Sequence, residues 1–276
     1  MTGRTELIGL VSNNFDNPAF MEIFDLFTRR LQDHGLRPLL ANLSGNSDPA
    51  KAIAMLRQYS VDGVIVASST VSPAFIDGCR SANIPLVHAF GKPTGSPAIH
   101  IVGADNVQGG RLAAAVMLDR GYRHIAFLGG PQSASSTTDR LRGFREGLAE
   151  KGSAPHVEMF AVSYSHEEGR KVALELLGDR RIEAIFCGDD ILAIGALDAC
   201  KERQRSVPGD IGILGFNDIA MAAWAAYDLS TIRQPIADII VAAVELAIQL
   251  VADPAMPQQA KLFACEPVLR RTLRSV

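Results

Sequence analysis

The sequence predicts an α/β protein with two doubly wound lobes, each built on a parallel sheet that helices cover on both faces. Two observations lead to this prediction. Short apolar runs alternate with amphipathic helical patterns along the chain, and the alternation occurs in two series of similar order. The 276 residues, 47% of them hydrophobic, can bury the core of one large domain or of two modest ones.

The first series has the order β-α-β-α-β-α-β. Its strands are predicted at 7–11, 38–41, 63–67 and 85–88, and its helices at 20–31, 49–59 and 73–82. A bridging helix is predicted over 105–119, where Asp105 or Asn106 suits the N-cap position.

The second series follows this bridging helix and repeats the alternation. Its strands are predicted at 125–129, 159–162, 184–187 and 211–216, and its helices at 138–151, 167–177 and 191–203. Residues 231–235 should be extended, since residues before a proline avoid the helical region, and Pro235 suits the first turn of the next helix. That helix is apolar on most sides, which predicts burial on more than one face. Residues 262–264 and 268–269 indicate a last pair of strands, or a strand and a tail.

Composition narrows the class of protein. The net charge of −3, without a dense Lys/Arg run, predicts a poor nucleic-acid binder. Four scattered cysteines with no C-x-x-C pair fit buried thiols in a reducing compartment. The residues before the first strand lack an apolar signal core, and the most continuous apolar stretch, 239–251, is too short to span a bilayer. We therefore expect a cytoplasmic protein.

Sequence motifs for catalysis are absent. The chain has no G-x-x-x-x-G-K-[ST] loop, no G-x-G-x-x-G fingerprint, no H-E-x-x-H pair and no G-x-S-x-G elbow. The sequence therefore predicts a protein without cofactor, metal or enzymatic activity.

Polar side chains follow the predicted strands in both series. Ligands of parallel α/β sheets bind beyond the carboxyl ends of the strands. The segments at these ends are rich in Asn, Asp, Ser, Arg and aromatic residues: 12–20, 68–70, 129–144, 163–165, 188–190 and 217–218. Carboxylates and amides accept from hydroxyls, guanidinium groups donate, and rings cover flat apolar faces, so this set suits a small neutral polyhydroxylated or heterocyclic ligand.

Most of these residues also have a structural alternative. Asp189 or Asp190 could serve as the cap of the following helix, and Asn217 with Asp218 could form a plain turn. Arg140 could be a surface residue of its helix. The rings at positions 15 and 20 could belong to the core.

Five segments carry a resemblance to a known family. "IGLVSNNFDNPAF", "VGADNVQGGRLAAAVMLDRGYRHIAFLGG", "DRLRGFREGL", "AIFCGDDILAIGALDACKERQRSVPGDIGILGFNDI" and "LSTIRQPI" resemble the LacI/GalR family of bacterial transcription regulators, over residues 6–272. The resemblance implies a periplasmic binding protein-like type I core, in which three crossovers join two lobes and the cleft between the lobes holds an effector.

Carried onto this sequence, the family pattern assigns lobes, crossovers and site residues. It implies an N-terminal lobe of residues 4–121 and 234–260, and a C-terminal lobe of 122–233 and 261–272, with crossovers near 121, 233–234 and 255–260. Arg140 matches the effector-binding arginine of the family. The implied effector-binding residues are Asn13, Phe15, Phe20, Gln108, Arg140, Tyr164, Asp189, Asn217 and Gln234.

The resemblance also implies partners. Family members begin with a helix-turn-helix headpiece, whereas the first strand here starts at Leu7, so operator DNA would be contacted only through a headpiece outside these residues. We expect a homodimer that senses a small sugar or related metabolite, the core of a transcriptional repressor. The alternatives are a free-standing sugar-binding protein of a transport system, or an enzyme acting on a sugar. Departures from the family pattern at Ala19, Asp189 and Asn217 leave the effector's identity open.

Overall fold

The structure, a computed structural model, describes residues 4–13, 15, 17–43, 47–93 and 99–275. It divides into two compact units, and the chain passes between them three times. The first unit comprises Met1–Ala104 and Pro235–Phe263, and the second comprises Asp105–Gln234 and Ala264–Val276.

Strands and helices alternate through most of the chain. The strands are β1 Leu7–Ser12, β2 Arg37–Asn42, β3 Gly63–Ala67, β4 Leu86–Ala89, β5 His100–Ala104, β6 Ile125–Gly129, β7 Val157–Phe160, β8 Ala184–Cys187, β9 Gly212–Asn217, β10 Ser230–Arg233, β11 Ala260–Phe263 and β12 Glu266–Val268. The α-helices are α1 Ala19–Asp33, α2 Pro49–Gln58, α3 Pro73–Ser81, α4 Asn106–Asp119, α5 Ser135–Ala149, α6 His166–Leu176, α7 Asp190–Glu202 and α8 Ile236–Ala252, and a short 3-10 helix covers Ala220–Ala223.

Each unit has one six-stranded sheet. The strand order is β11-β5-β4-β3-β1-β2 in the first unit and β12-β10-β9-β8-β6-β7 in the second. The first sheet is parallel throughout, and the second is parallel except for β12, which pairs antiparallel with β10. Central strands such as β3 and β6 are buried along their whole length, as expected when helices cover both faces. The predicted fold class is confirmed.

Several elements differ from the sequence prediction: β7 lies at 157–160 rather than 159–162, and neither the 3-10 helix at 220–223 nor strand β5 was predicted. β5 was not predicted, because no helical pattern separates it from β4, so the strand breaks the regular βα alternation. Helix α5 begins at Ser135, three residues before the predicted start at 138. The hydroxyl residues Ser136 and Thr137, which resemble a loop in sequence, therefore form its first turn, where such residues are well tolerated.

Helix α4 packs within the second unit, whereas the family pattern implied an N-terminal lobe that extends to residue 121. Glycines make this packing close. A Cβ on Gly110 would lie 2.2 Å from the carbonyl oxygen of Arg140, and a Cβ on Gly143 would lie 1.9 Å from that of Val107. The first passage between units thus follows Ala104, and the others follow residues 234 and 263.

An aromatic column runs through the core of the second unit. The ring centroids are 6.2 Å apart for Phe127 and Phe144, 5.0 Å for Phe144 and Phe186, and 6.4 Å for Phe186 and Phe216. All four side chains are fully buried. Because Phe216 lies near the carboxyl end of β9, the column leads from the middle of the sheet to the edge where ligands of such sheets bind.

The long apolar helix predicted after Pro235 is α8. It contacts α1 and strands β3, β4 and β5, so it is covered on more than one side, as predicted. Within the described residues, no helix combines the length and the apolar character needed to cross a membrane.

The close contact of α4 and α5 yields a prediction for Gly143→Ala. The added methyl would collide with the backbone of Val107, so we expect a loss of about 1–3 kcal/mol in the free energy of unfolding. Urea-induced unfolding measures it. Gly188→Ala is the control, since its Cβ would have no neighbour closer than 3.6 Å. Equal stability of the two variants would contradict the proposed close packing.

Candidate ligand-binding site

Arg140 is buried in the second unit, with 4% of its surface exposed. Its Nη1 donates to the carbonyl oxygen of Gly188, and its Nε donates to Oδ1 of Asn106 at 2.8 Å. The guanidinium carbon lies 3.8 Å from the centroid of the Phe216 ring, a cation–π geometry. Burial lowers the pKa of the guanidinium, and the nearby carboxylate of Asp189 opposes this effect. The surface alternative for Arg140 is therefore excluded.

Tyr164 lies beside the first turn of α5. Its hydroxyl forms hydrogen bonds with Oγ of Ser136 at 2.9 Å and with Oγ1 of Thr137 at 2.6 Å, and the residue is 8% exposed. Burial raises the pKa of the phenol, which keeps it neutral at ordinary pH. The hydroxyls of Ser136 and Thr137, which follow β6 in the chain, thus form a polar cluster with the hydroxyl of Tyr164.

Asp189, Asn217 and Gln234 form a chain of hydrogen bonds at the same edge of the sheet. Asp189 Oδ1 caps α7 by accepting from the backbone N–H of Ile191 at 3.0 Å. Its Oδ2 accepts from Nδ2 of Asn217 at 2.8 Å, and Oδ1 of Asn217 accepts from Nε2 of Gln234. Asp189 therefore caps α7, as the structural alternative proposed, and also belongs to the polar cluster.

The turn after β9 has an unusual backbone. Asn217 and Asp218 have φ values of 120° and 60°, a region that non-glycine residues rarely adopt. The carboxylate of Asp218 accepts from Nε of Arg233 and from Nη2 of Arg270, each at 2.7 Å. The last residue of β9 and the residue after it thus have a rare backbone conformation, which the two ion pairs of Asp218 hold in place.

Asp190 belongs to the polar segment 188–190 of the sequence analysis, where its structural alternative was a helix cap, and the structure gives it neither of these places. It is fully buried, and its carboxylate accepts from Oγ1 of Thr231 at 2.6 Å and from the backbone N–H of Ile219 at 2.9 Å. Burial raises the pKa of Asp190 to about 7. The sequence did contain a signal that Asp190 has another role. Two acids follow this buried strand, and a helix cap needs only one carboxylate.

Gln108 is bonded to the main chain rather than to the cluster around Arg140. Its Oε1 accepts from the backbone N–H of Cys265 at 2.9 Å, and its Nε2 donates to the carbonyl oxygen of Cys265 at 3.2 Å. This pair of bonds fastens the start of α4 to the segment that enters the second unit after residue 263.

In the first unit, Asn13 lies at the end of β1. Its Oδ1 accepts from Oγ of Ser68, and its Nδ2 donates to Oγ1 of Thr70 at 3.2 Å. A cavity of about 190 Å³ opens here, between the carboxyl ends of β1 and β3, and Asn13, Ser68 and Thr70 are among its lining residues. This cavity belongs to the first unit alone.

The two candidate rings of the first unit share a cluster with Phe24. Phe15 stacks on Phe24 with centroids 5.0 Å apart, and Phe20 is tilted against it at 6.1 Å. Phe20 is 8% exposed, so packing accounts for most of its surface, whereas Phe15 is half-buried and keeps one part of its ring accessible.

His88 supports the segment that carries Ser68. Its Nε2 lies 2.8 Å from the carbonyl oxygen of Ser68, which can only accept, so Nε2 carries the proton. Burial lowers the pKa of His88 to about 4. Within the part of the chain that the structure describes, no group of three or more His, Cys, Asp or Glu side chains is arranged to hold a metal ion.

Comparisons with known proteins agree with this geometry. A family model described as a periplasmic binding protein-like domain matches residues 114–273. The HTH-type transcriptional repressor PurR of Proteus mirabilis is 32% identical over 239 residues, 84% of this chain and 69% of that protein. The HTH-type transcriptional regulator DegA of Bacillus subtilis is 33% identical over 245 residues, 86% of this chain and 72% of that protein.

A solved structure extends the similarity to the fold. It is that of a LacI family transcriptional regulator from Enterococcus faecium with bound ribose. It has a TM-score of 0.85 and 25% identity, and the alignment covers 97% of this chain and 98% of that one.

Acid should weaken the first unit through His88. In the unfolded chain the imidazole takes up a proton near pH 6.5, whereas in the folded unit it stays neutral down to about pH 4, so stability is lost as the pH falls between these values. At pH 5 the loss should be about 2 kcal/mol, since one pKa unit is worth about 1.4 kcal/mol.

Urea-induced unfolding at pH 7 and pH 5 measures this effect. His88→Gln should lose less stability than the wild type between these two pH values, because Gln keeps a donor for the Ser68 carbonyl and does not titrate. The exposed His34→Gln is the control and should follow the wild type. A parallel loss in the wild type and in His88→Gln would show that His88 does not contribute.

Proposed function

The chain belongs to the LacI family of transcriptional regulators and is a periplasmic binding protein-like ligand-binding domain, and from this premise we propose that it senses a small sugar or a related metabolite. The proposal rests above all on four side chains of the second unit: Tyr164 and Asp189 lie near enough to the Arg140 guanidinium to interact with its charge, and Asn217 donates to Asp189. These are buried polar groups of opposite hydrogen-bonding character, gathered where α/β sheets bind their ligands.

The chemistry of these groups fits a hydroxylated ligand. The guanidinium of Arg140 donates in one plane, the Asp189 carboxylate accepts, and the Asn217 amide and the Tyr164 hydroxyl do both. The ring of Tyr164 offers an apolar face for the C–H side of a sugar or for a heterocycle. The ribose in the Enterococcus faecium regulator supports a ligand of this size and class.

The candidate residues of the first unit belong to the same proposal. Asn13 lines a cavity at the carboxyl end of β1, and Phe15 presents a half-buried ring in the loop that follows this strand. We assign Phe20 mainly to the packing beneath them, and Gln108 and Gln234 to peripheral positions that hold the main chain and Asn217.

Regulation, rather than turnover or transport, is the role that the relatives support. The curated relatives are named as a transcriptional repressor and a transcriptional regulator. We propose that ligand binding by this region is coupled to the DNA affinity of the complete regulator, a coupling free energy between two sites. Binding is then the whole activity of this region, and operator DNA is a partner of the complete protein.

Arg140→Ala should abolish stabilisation of the protein by its ligand. A thermal-shift screen of pentoses, hexoses, their phosphates and purine bases identifies the ligand of the wild type, and saturation at 100 times Kd should add about 2.7 kcal/mol. Arg142→Ala is the matched control, since its guanidinium is exposed and paired with Asp139 on the same helix. Tyr164→Phe, which keeps the ring, tests the site should the Arg140 variant fail to fold. Undiminished ligand stabilisation in both site variants would overturn the assignment.

We also expect a homodimer in solution. LacI-type regulators in this proposal act as pairs of chains, so that one ligand-induced change can alter how two copies present themselves to a symmetric DNA site. Light scattering at micromolar concentration should give about twice the chain mass of 29.6 kDa. A monomer would count against the regulatory proposal and would leave the ligand-binding assignment standing.

A further inference from the structure

We propose that Asp190 is a positioning residue of the ligand site, because its buried carboxylate holds the turn at Asn217 and Asp218 in the conformation that directs the Asn217 amide to Asp189. The inference rests on the proposed function, in which Asn217 contacts the ligand. Asp190 itself lies behind the turn and acts through it.

Asp190 is the first residue of α7, and each of its two carboxylate oxygens accepts a hydrogen bond from a different segment. Oδ2 accepts from the backbone N–H of Ile219, the residue directly after the turn, at 2.9 Å. Oδ1 accepts from Oγ1 of Thr231 on β10, the strand that pairs with β9, at 2.6 Å. A Cβ at Gly215 would lie 2.1 Å from Oδ1, so a glycine at this position of β9 is what admits the carboxylate.

The turn needs such an anchor because its backbone is strained. Asn217 and Asp218 both have positive φ, and residues held in such regions persist only where their surroundings over-determine them. Arg233 and Arg270 hold the Asp218 side chain, and Asp190 holds the backbone that follows it. Without Asp190, the N–H of Ile219 would lose its partner and residue 217 could relax toward ordinary backbone angles, which would turn its amide away.

Charged and titratable groups face Asp190 from every side. They are Asp189 at the cap of α7, Asp218 after β9, Arg140 on α5 and Cys187 on β8. Burial, with a further contribution from Asp189, raises the pKa of the Asp190 carboxyl to about 7. The unfolded chain ionises this group near pH 4, so its contribution to stability is full below that pH and is lost as the pH rises through 7. Asp190→Asn should remove this pH dependence.

Hydrogen exchange tests the positioning role directly. In Asp190→Ala, backbone amides of residues 217–219 should exchange at least ten times faster than in the wild type, while the rest of the second unit stays protected. Asp190→Asn should restore protection, because its Oδ1 can still accept from Ile219 and its Nδ2 can donate to Thr231. Asp198→Asn, on the same helix but bonded to His166 and Lys201, is the matched control.

Two outcomes of this experiment would overturn the proposal. One is unchanged exchange at 217–219 in Asp190→Ala. The other is a uniform rise across the second unit, which would make Asp190 a general stability residue. Should Asp190→Ala fail to fold, Thr231→Val, which removes only the second partner of the carboxylate, should raise exchange in the same segment, and wild-type exchange there would overturn the proposal.

Calorimetry with D-ribose as the probe separates this inference from the proposed function. Asp190→Ala should weaken ribose binding at least tenfold, and Asp190→Asn should bind within threefold of the wild type. If Asp190→Ala and the wild type bind ribose with equal affinity, the conformation that Asp190 holds does not support ligand binding, and this part of the inference is overturned. Absence of ribose binding in the wild type would count against the proposed ligand class, and the exchange experiment alone would then decide the role of Asp190.

Discussion

The burial of the Arg140 guanidinium is the constraint on which the second unit's candidate site depends. A buried charge carries a desolvation cost of several kcal/mol unless partners surround it. Here the partners come from different elements: the carbonyl after β8, the Asn106 side chain of α4 and the Phe216 ring of β9. The carboxylate of Asp189 adds its attraction. A single cation thus requires the ends of two strands and the starts of two helices to meet at one place.

Core packing satisfies this requirement before any ligand is present. The glycine contacts between α4 and α5 bring Asn106 within reach of Arg140, and the aromatic column places Phe216 under the guanidinium. These contacts involve small residues and aromatic rings. Close backbone packing and apolar burial therefore position the groups around Arg140. The polar cluster therefore sits on rigid elements, which is what a selective binding site needs because a prepositioned group loses little entropy on binding.

Part of this arrangement was predictable from sequence, for physical reasons. Alternating apolar and amphipathic segments determine the fold class, and parallel sheets collect their strand ends at one edge, so polar residues such as Asp189 and Asn217 were expected together. The partners of a side chain were not predictable, since they depend on packing between distant segments. The choice between Asp189 and Asp190 as helix cap, and the bonding of Gln108 to Cys265, are examples. Backbone strain at residue 217 likewise leaves no mark in composition.

Arg140 donates two of its five N–H groups to Asn106 and Gly188, so a ligand in the proposed site could accept from the remaining N–H groups or compete for these two. A ligand hydroxyl that takes a guanidinium N–H from Gly188 or Asn106 replaces one hydrogen bond by another. The net gain in binding free energy is then far smaller than the number of new contacts would suggest. In the proposed function, such competition would link ligand binding to the partners of Arg140. A ligand shifts a conformational equilibrium only by its different affinity for the two states. The bond from Arg140 ends on Asn106, two residues after Ala104, where the chain first passes from one unit to the other. In the proposed function, a ligand that competes for the bond between Arg140 and Asn106 would act on the segment of chain that follows the first passage between the units.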